Sequence, residues 1–352
     1  MGRYIIRRLL YMVVVVLVVS MITFGLMHSI PGGPFTREKA LPAETIKVLN
    51  ERYHLDDPLW KQYVDYVYAV MVPHFTTTPP STSLQDDFLL NAKIGSLWIR
   101  WMNFGPSYKS RSRTVNDIFR DNLPISGQLG TMALTIGLLI GMPLGILAAL
   151  KQNTIFDYLG MGVAIFGVSV PVIVLGPVLV WVFGVALKWL PPTGWGARPP
   201  YFLGFLPSNL LNGEFFKYAI MPSFALGIGS SAIIARLTRA SLLQTIREDY
   251  IRTARSKGLQ ERLIITRHAL KNSLIPVVTI LGPLFAALVT GTFVTELIFG
   301  IPGMGKYFVT SITNRDYPVI MGTILLYAVF LVFANLLVDI MYAYLDPRIR
   351  YD

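Results

Sequence analysis

The sequence predicts an all-α membrane protein with six transmembrane helices. The chain has 352 residues, of which 53% are hydrophobic and 14% are charged, and its mean hydropathy is +0.53. Soluble domains carry charge at about 25% of their positions. This deficit of charge, together with six long apolar runs, is typical of a chain whose helices cross a bilayer.

The first apolar run, 9–30, follows Arg3, Arg7 and Arg8, as the apolar part of a secretory signal would. As a helix it is about 33 Å long, which is enough to cross the hydrocarbon. A signal peptide has a shorter apolar part and a cleavage site of small residues. We therefore expect an uncleaved first span.

Five further apolar runs predict the remaining spans, which are 125–150, 158–187, 218–239, 274–296 and 318–344. Their Gly and Pro residues are tolerated in membrane helices when neighbouring helices satisfy the freed backbone groups. Gly137, Gly141 and Gly145 give the second predicted span a patch of small residues. Such a patch indicates close helix packing rather than a ligand site.

Orientation follows from Lys and Arg, which are enriched in short cytoplasmic loops. With the N-terminus inside, the segment 236–271 and both chain ends hold most of these residues, while the short outside loops hold few. The long segment 31–122 carries little weight in this rule. We expect both termini in the cytoplasm. The net charge of +11 is then explained by membrane anchoring, and no nucleic-acid partner is expected.

Composition also limits the chemistry of the chain. There is no cysteine, which excludes disulfides, iron–sulfur clusters and thiol catalysis. The four histidines, His28, His54, His74 and His268, lack the spacing of a metal site. A membrane-embedded enzyme is disfavoured, because paired carboxylates, HExxH and Ser/His arrangements are missing near the spans.

The long outside segment 31–122 contains one clear helix signal. Asp57 followed by Pro58 predicts an N-cap and a first helical position, with the helix running over Leu59–Met71. The residues 72–83 are rich in Thr and Pro and are expected to be irregular.

The stretch from Asp87 to Trp101 is apolar on one face and predicts a segment lying along the membrane surface, with Trp98 and Trp101 at the headgroup level. Two interpretations of the outside segment stay open. It is either a docking or capping surface, or a family-variable insertion with no direct role.

The run Gly300-Ile-Pro-Gly-Met-Gly305-Lys306-Tyr307 nearly matches the phosphate-binding pattern GxxxxGK[ST]. Tyr307 replaces the Ser or Thr that would hold magnesium, and a strand-loop-helix context is missing. We therefore predict a structural turn here and expect no ATPase site in the chain.

A basic connector, 240–273, joins the fourth and fifth predicted spans. Its helix-forming run Ile246–Lys257 stops at Gly258, and a second helix is expected over Gln260–Asn272. This pattern predicts a lever that takes a push from a partner and passes it to the flanking spans. Simple attraction to anionic lipid is the alternative. It explains the positive charge but not the helix–glycine–helix order.

The connector carries two motifs, Tyr250-x-Arg-Thr-Ala-Arg-x-Lys-Gly-Leu259 and Arg267-His-Ala-Leu-x-Asn-x-Leu-Ile-Pro276. Both resemble permease subunits of ATP-binding-cassette importers, in the oligopeptide/dipeptide/nickel branch. Further matches occur at Leu55–Leu59, Phe104–Ser107, Val115–Pro124, Thr295–Phe299, Arg315–Pro318 and Val338–Arg350. Gly33 departs from the Asp usual in the family, and residues 72–103 have no evident counterpart.

The resemblance implies the type I importer permease fold of a first permease subunit. It divides the chain into a cytoplasmic N-terminus with the first helix, 1–30, an extracytoplasmic segment, 31–122, and a permease core of five helices, 123–352, with the cytoplasmic coupling loop 240–273.

The resemblance also implies a helix over about 249–259 that sits in a cleft of an ATPase subunit. Ala254 is expected to pack against that partner, and Gly258 to permit the turn. Arg252 and Thr253 replace the Glu and first Ala of the general family motif. The coupling residues implied are Asp249, Arg252, Thr253, Ala254, Arg255, Lys257, Gly258 and Leu259.

By the same resemblance, the chain is a non-enzymatic half of a translocation pathway for oligopeptides or dipeptides in the prokaryotic plasma membrane. Its expected partners are a second homologous permease, two ATPases that bind the ATP, an extracytoplasmic substrate-binding protein and membrane lipid. No cofactor or metal is expected in the chain itself. Nickel chelates and sugars are alternative substrates. A self-contained secondary transporter or channel is an alternative class. It would need inverted repeats or broken helices around a midplane site, and the sequence displays no convincing internal repeat.

Two acidic residues lie near the ends of predicted spans. Asp339 is near the cytoplasmic end of the last span, and Glu296 is near the outer end of the fifth. Either residue is a candidate for proton coupling or for charge pairing. We favour pairing, of Asp339 with a basic cytoplasmic residue and of Glu296 with the outer loop, because neither lies at the midplane.

Overall fold

The computed structural model describes residues 2–35, 42–80, 83–110, 112–197, 199, 201, 204–210 and 213–345. These residues form long helices and one small sheet. The helices are α1 (Gly2–Ser29), α2 (Ala43–Arg52), α3 (Leu59–Met71), α4 (Val115–Leu150), α5 (Ile155–Ser169), α6 (Val172–Ala186), α7 (Glu214–Ile246), α8 (Asp249–Ser256), α9 (Glu261–Ser273), α10 (Ile275–Val289), α11 (Phe293–Phe299), α12 (Gly305–Asn314) and α13 (Tyr317–Leu345). The strands are β1 (His74–Thr76), β2 (Leu90–Ile94) and β3 (Leu97–Trp101).

Four of these helices are each long and apolar enough to cross a membrane. They contain the candidate spans Tyr4–Ser29, Val115–Leu150, Glu214–Ile246 and Tyr317–Tyr342. Two bent pairs, α5 with α6 and α9 with α10, also satisfy the length and hydropathy requirement. Among the described residues, the predicted six spans are reached when each bent pair counts as one crossing.

The third predicted span, 158–187, is not a continuous helix. The axes of α5 and α6 differ by 99°, and Val170 between them is extended, with φ −93° and ψ 107°. Pro171 explains the break, because its ring disfavours the helical conformation of the residue before it. Hydropathy does not reveal this bend, since the apolar run continues through it.

The fifth predicted span, 274–296, ends earlier than expected. Helix α10 stops at Val289, and Gly291 then adopts a φ of 117°, a conformation that only glycine adopts without strain. The separate short helix α11 follows. At the other end, α9 and α10 meet at a bend of 49°.

The chain divides into two compact units. The larger unit combines Met1–Tyr11, Pro124–Gly305 and Val329–Asp352, and the smaller unit combines Met12–Leu123 and Lys306–Ala328.

Close helix packing dominates the larger unit. A Cβ atom on Gly141 would lie 2.5 Å from the carbonyl oxygen of Ser231, and one on Gly145 would lie 2.6 Å from that of Ala235. Helices α4 and α7 therefore approach with their backbones nearly in contact. This confirms that the small residues of α4 are packing surface.

The turn after α11 is structural, as predicted. Gly300 ends α11 in the left-handed conformation with φ 62°, and a helix rather than a strand precedes it. The buried carboxylate of Glu296 accepts hydrogen bonds from the Ser126 hydroxyl and from the Gly305 amide, both at 2.7 Å. Glu296 therefore contacts the segment that follows its helix, as expected, but these partners are a hydroxyl and a backbone amide and not a cation. The negatively charged group that this turn binds is therefore the Glu296 carboxylate of the same chain.

The smaller unit contains a three-stranded antiparallel sheet in the order β1-β3-β2. Strands β2 and β3 form a hairpin in which Leu90 pairs with Trp101 and Ile94 with Leu97. Most of the segment 87–101, predicted to lie along the membrane surface, is this hairpin, and its position relative to a membrane stays a prediction. Strand β1 lies inside the stretch expected to be irregular, so that expectation is wrong for His74–Thr76. The physical reason for the hairpin is alternation: apolar residues recur at every second position on both sides of a Gly95–Ser96 turn.

Helix α3 runs over Leu59–Met71, as predicted, but its N-cap is Pro58 and not Asp57. The carboxylate of Asp57 instead accepts a hydrogen bond from the Lys61 ammonium at 2.7 Å. That contact raises the pKa of Lys61.

Candidate coupling site

The candidate site is the connector between α7 and α10, and its first part is helix α8. The sequence predicted one helical run over 246–257, but α7 ends at Ile246 and α8 begins at Asp249. Glu248 is extended, with ψ 149°, which separates the two helices. Asp249 lies in the first turn of α8, where a carboxylate interacts favourably with the helix dipole.

Helix α8 has one buried face and one exposed face. Ile251 is fully buried and Ala254 is 7% exposed, at the three-residue spacing of one helix face. They pack in a cluster with Leu242 of α7 and with Ile264 and Ala269 of α9. The exposed residues of α8 are Asp249, Tyr250, Arg252, Thr253, Arg255 and Ser256.

The position of Ala254 differs from the expectation that it packs on an ATPase. Its methyl group is covered by residues of its own chain, because it faces the same side as Ile251. Ala254 therefore fixes α8 against α7 and α9. The other residues of α8 are exposed.

Gly258 forms the turn after α8. It adopts a φ of 74°, and its amide donates to the carbonyl oxygen of Arg255 at 2.9 Å. A Cβ atom at this position would meet nothing within 4 Å. The requirement for glycine is therefore conformational, as at a helix C-cap, and not one of space.

An ion pair bridges this turn. The Arg255 guanidinium donates through Nε to Glu261 Oε2 at 3.1 Å and through Nη2 to Oε1 at 2.7 Å, which raises the pKa of Arg255. Both side chains are exposed, so the pair contributes only about 0–1 kcal/mol. The pair joins the end of α8 to the start of α9, and the Arg255 side chain stays 42% exposed.

A second contact links the start of α8 to the end of α9. The Asn272 amide donates to the Tyr250 hydroxyl oxygen at 2.9 Å. Together with the Arg255–Glu261 pair and the shared apolar cluster, this makes α8 and α9 a closed helical hairpin. We call residues 249–273 the coupling hairpin.

The exposed cations among the described residues of the hairpin are Arg252, Arg255, Lys257, Arg262, Arg267 and Lys271. Two of them, together with one apolar residue, belong to the predicted coupling residues and are not paired with Glu261. Arg252 has a side chain that is 73% exposed and lies 3.5 Å from the open carboxylate of Asp249. Lys257 supplies the second cation and is exposed next to Gly258, and Leu259 is 38% exposed. A basic rim around an apolar tip suits a partner that offers carboxylates and an apolar cleft.

Sequence reasoning missed Tyr250, Glu261 and Asn272 as parts of this site. Their partners lie six to 22 residues away along the chain. A local pattern gives no sign of such pairs. Glu261 comes to lie opposite Arg255 only because α9 begins at Glu261 directly after the turn.

Comparison with models of known protein families identifies the family of this chain. A family model described as "Binding-protein-dependent transport system inner membrane component" matches residues 141–351, more than half of the chain. A companion model for the N-terminal part of such components matches residues 1–83. The chain belongs to this permease family.

Curated relatives match the permease over its full length. It is 41% identical over 350 residues to the dipeptide transport system permease protein DppB of Bacillus subtilis, covering 99% of this chain and 98% of that one. It is 38% identical over 351 residues to the oligopeptide transport system permease protein OppB of Salmonella typhimurium, with 100% of both chains covered. The OppB protein of Escherichia coli K12 is 36% identical over the same length. Residues 72–103 lie within the span of these alignments, contrary to the expectation, although the two family models leave 84–140 unmatched.

Family membership gives the general role of the chain. It is an integral inner-membrane protein with the type I importer permease fold, and it is the non-catalytic transport component of an ATP-binding-cassette importer. The ATP is handled by partner ATPases, and a binding protein supplies the substrate.

Proposed function

We propose that this permease conducts peptides and forms half of the pathway, the other half being a second homologous permease. The observation that carries the proposal is the full-length match to proteins named for dipeptide and oligopeptide transport, at 36% to 41% identity. An extracytoplasmic binding protein delivers the peptide, and two ATPases supply the energy.

In this proposal the coupling hairpin is the surface on which an ATPase docks. The residues that carry it are Asp249, Arg252, Thr253, Ala254, Arg255, Lys257, Gly258 and Leu259. The exposed ones contact the ATPase. Ala254, from the buried face, and Gly258, at the turn, hold the helix in place.

The proposed transmission follows from packing. Ile251 and Ala254 are in the same buried cluster as Leu242, and Leu242 is part of α7, a helix of 33 residues. A displacement of α8 by the closing ATPases is passed to α7 because packed side chains resist compression. The permease pair then alternates between inward- and outward-facing states. The peptide moves only because its affinity for the two states differs.

We also propose that both termini are cytoplasmic, with 31–122 outside, 123–352 as the permease core and 240–273 inside. The Arg8 guanidinium lies 2.6 Å from the Asp339 carboxylate. Arg8 is near the start of α1 and Asp339 near the end of α13, which supports placing both chain ends on one side.

The test is reconstitution of the permease in liposomes with its second permease, ATPases and binding protein. We expect uptake of a labelled tripeptide only when ATP is present. Arg252→Glu and Lys257→Glu should each reduce the uptake about fivefold or more, for the loss of about 1 kcal/mol of contact energy. The matched control is Lys47→Glu, whose side chain is 77% exposed in the segment 31–122. Uptake by the permease alone, without ATP, would indicate a secondary transporter instead.

A further inference from the structure

The smaller unit contains a cavity of its own. Its volume is about 340 Å³, within the range of small-molecule sites. Aromatic side chains form much of its wall, contributed by Phe24, Tyr53, Tyr66, Tyr108 and Tyr317. Such a concentration of rings around one cavity gives a ligand a large apolar contact area at a small cost in side-chain entropy.

A buried hydrogen-bond network fixes one side of the cavity. Asp316, which is 4% exposed, accepts from the Ser107 hydroxyl at 2.5 Å and from the Tyr108 amide at 3.0 Å. The Tyr317 hydroxyl donates to the carbonyl oxygen of Met27 at 3.2 Å. These bonds hold Tyr108 and Tyr317 in place before any ligand arrives.

The rings of the wall pack against one another. The ring centroids of Tyr53 and Tyr108 are 4.6 Å apart, and the His28 ring lies 4.1 Å from that of Phe24 and 5.1 Å from that of Tyr317. The resulting surface suits an aliphatic or aromatic side chain.

One polar group in the wall lacks a partner among the described residues. The hydroxyl oxygen of Tyr66 is buried and makes no hydrogen bond there. Burial raises the pKa of Tyr66, so the group is a neutral phenol that donates. Because it is already removed from water, a ligand acceptor that reaches it gains a hydrogen bond without desolvating the protein group.

Charges of both signs line the same cavity. Arg52 and Asp65 are exposed lining residues. A third charged group, Asp57, is already paired with Lys61 at 2.7 Å. A cation and an anion at the same cavity match a zwitterion better than a ligand of a single charge.

We propose that this cavity is a reception site for a short peptide with free termini. The peptide carboxylate pairs with Arg52, the peptide ammonium pairs with Asp65, and an apolar side chain packs on the aromatic wall. A peptide carbonyl accepts from Tyr66. The proposal rests on the proposed function, since it takes a peptide as the substrate, and it places a first contact for that peptide on the permease itself.

The test is equilibrium binding of labelled trileucine to the purified full-length permease in lipid nanodiscs, with no partner subunit present. We expect saturable binding that Tyr66→Phe, Arg52→Gln and Asp65→Asn each weaken about tenfold. Trileucine that is acetylated at the N-terminus and amidated at the C-terminus should bind more weakly still. Tyr68→Phe, on the same helix but outside the cavity lining and 55% exposed, is the matched control. Tyr66→Phe keeps the ring, so the fold is preserved.

The inference is overturned if wild-type permease shows no saturable binding, or if the blocked peptide and the Tyr66→Phe variant bind as well as their references. This outcome is distinct from failure of the proposed function. If the reconstituted importer takes up trileucine while the isolated permease does not bind it, the function stands and the reception site does not. If the permease binds trileucine but the complete importer does not transport peptides, the peptide-binding cavity stands and the proposed function does not.

Discussion

Arg239 of α7 and Asp157 of α5 form a bidentate ion pair in the larger unit. Nε and Nη2 of the guanidinium each lie 2.7 Å from a different oxygen of the carboxylate, and the Asp157 side chain is only 4% exposed. Arg239 lies about two helical turns before the end of α7 at Ile246. The pair therefore ties α5 to the part of α7 that, in the proposed function, is displaced by α8.

The first prediction concerns this pair. Asp157→Ala leaves a half-buried guanidinium, 27% exposed, without its partner and should lower the free energy of unfolding by about 1–3 kcal/mol. The double variant Asp157→Leu/Arg239→Met should recover most of that stability, because apolar replacement of a buried pair is often neutral. Thermal unfolding of the purified permease measures both effects.

The same variants separate packing from transmission. If the pair passes motion from α7 to α5, the stable double variant should hydrolyse more ATP per peptide transported than the wild type does. A double variant with both normal stability and a normal ATP-to-peptide ratio would show that the pair only holds the helices together. Lys47→Gln, at an exposed pair, should change neither quantity.

The second prediction concerns the turn of the coupling hairpin. Gly258→Val places a β-branched residue at a φ of 74°, which costs about 1–2 kcal/mol locally. Gly258→Asn should cost less, since Asn adopts this conformation readily. We expect Val, but not Asn, to uncouple ATP hydrolysis from peptide uptake. Equal effects of the two residues would contradict a conformational role, because the position has free space for either side chain.

The third prediction concerns the turn that holds Glu296. A Cβ atom on Gly303 would collide with Glu296 Cδ and would lie 2.5 Å from the Ser126 hydroxyl oxygen. Gly303→Ala should therefore displace the carboxylate and lower the free energy of unfolding by about 1–3 kcal/mol. Gly162→Ala is the control, since its Cβ would meet nothing within 4 Å. Equal thermal stability of the two variants would show that the turn relaxes freely.

The spans were predictable because apolar length is a local property of the sequence. The bend at Pro171 was not deduced, since prolines occur within continuous helices of this chain too, as Pro143 does in α4. The hairpin over Leu90–Trp101 had a readable signal in its alternation and its Gly95–Ser96 turn. The sequence interpretation placed this stretch along the membrane surface but did not predict the hairpin.

The coupling hairpin was foreseen because glycine between two helical runs is a strong local signal. Which face of α8 is buried was not foreseen, since that depends on Leu242 and Ile264, which lie in other helices. The Asp157–Arg239 pair joins residues 82 positions apart. Sequence spacing gives no indication of such a contact, and only the folded packing of α5 on α7 creates it.

The fourth prediction concerns pH and the phenols of the cavity in the smaller unit. Burial raises the pKa of both Tyr66 and Tyr108 above the ordinary value of 10.0. Unfolding exposes the two phenols, and above pH 10 the unfolded chain releases their protons while the folded chain retains them. Stability from these groups is therefore fully present below pH 10 and is lost as the pH rises beyond it.

Replacing both phenols, in Tyr66→Phe/Tyr108→Phe, should make the free energy of unfolding fall less steeply between about pH 10 and 11 than in the wild type. The exposed Tyr68 provides the control, and Tyr68→Phe should leave the slope unchanged. Denaturant unfolding at several pH values measures the slopes. Equal slopes for the wild type and the double variant would contradict the prediction. They would mean that the two phenols ionise as readily in the folded chain as in the unfolded chain. The cavity wall would then be open to water.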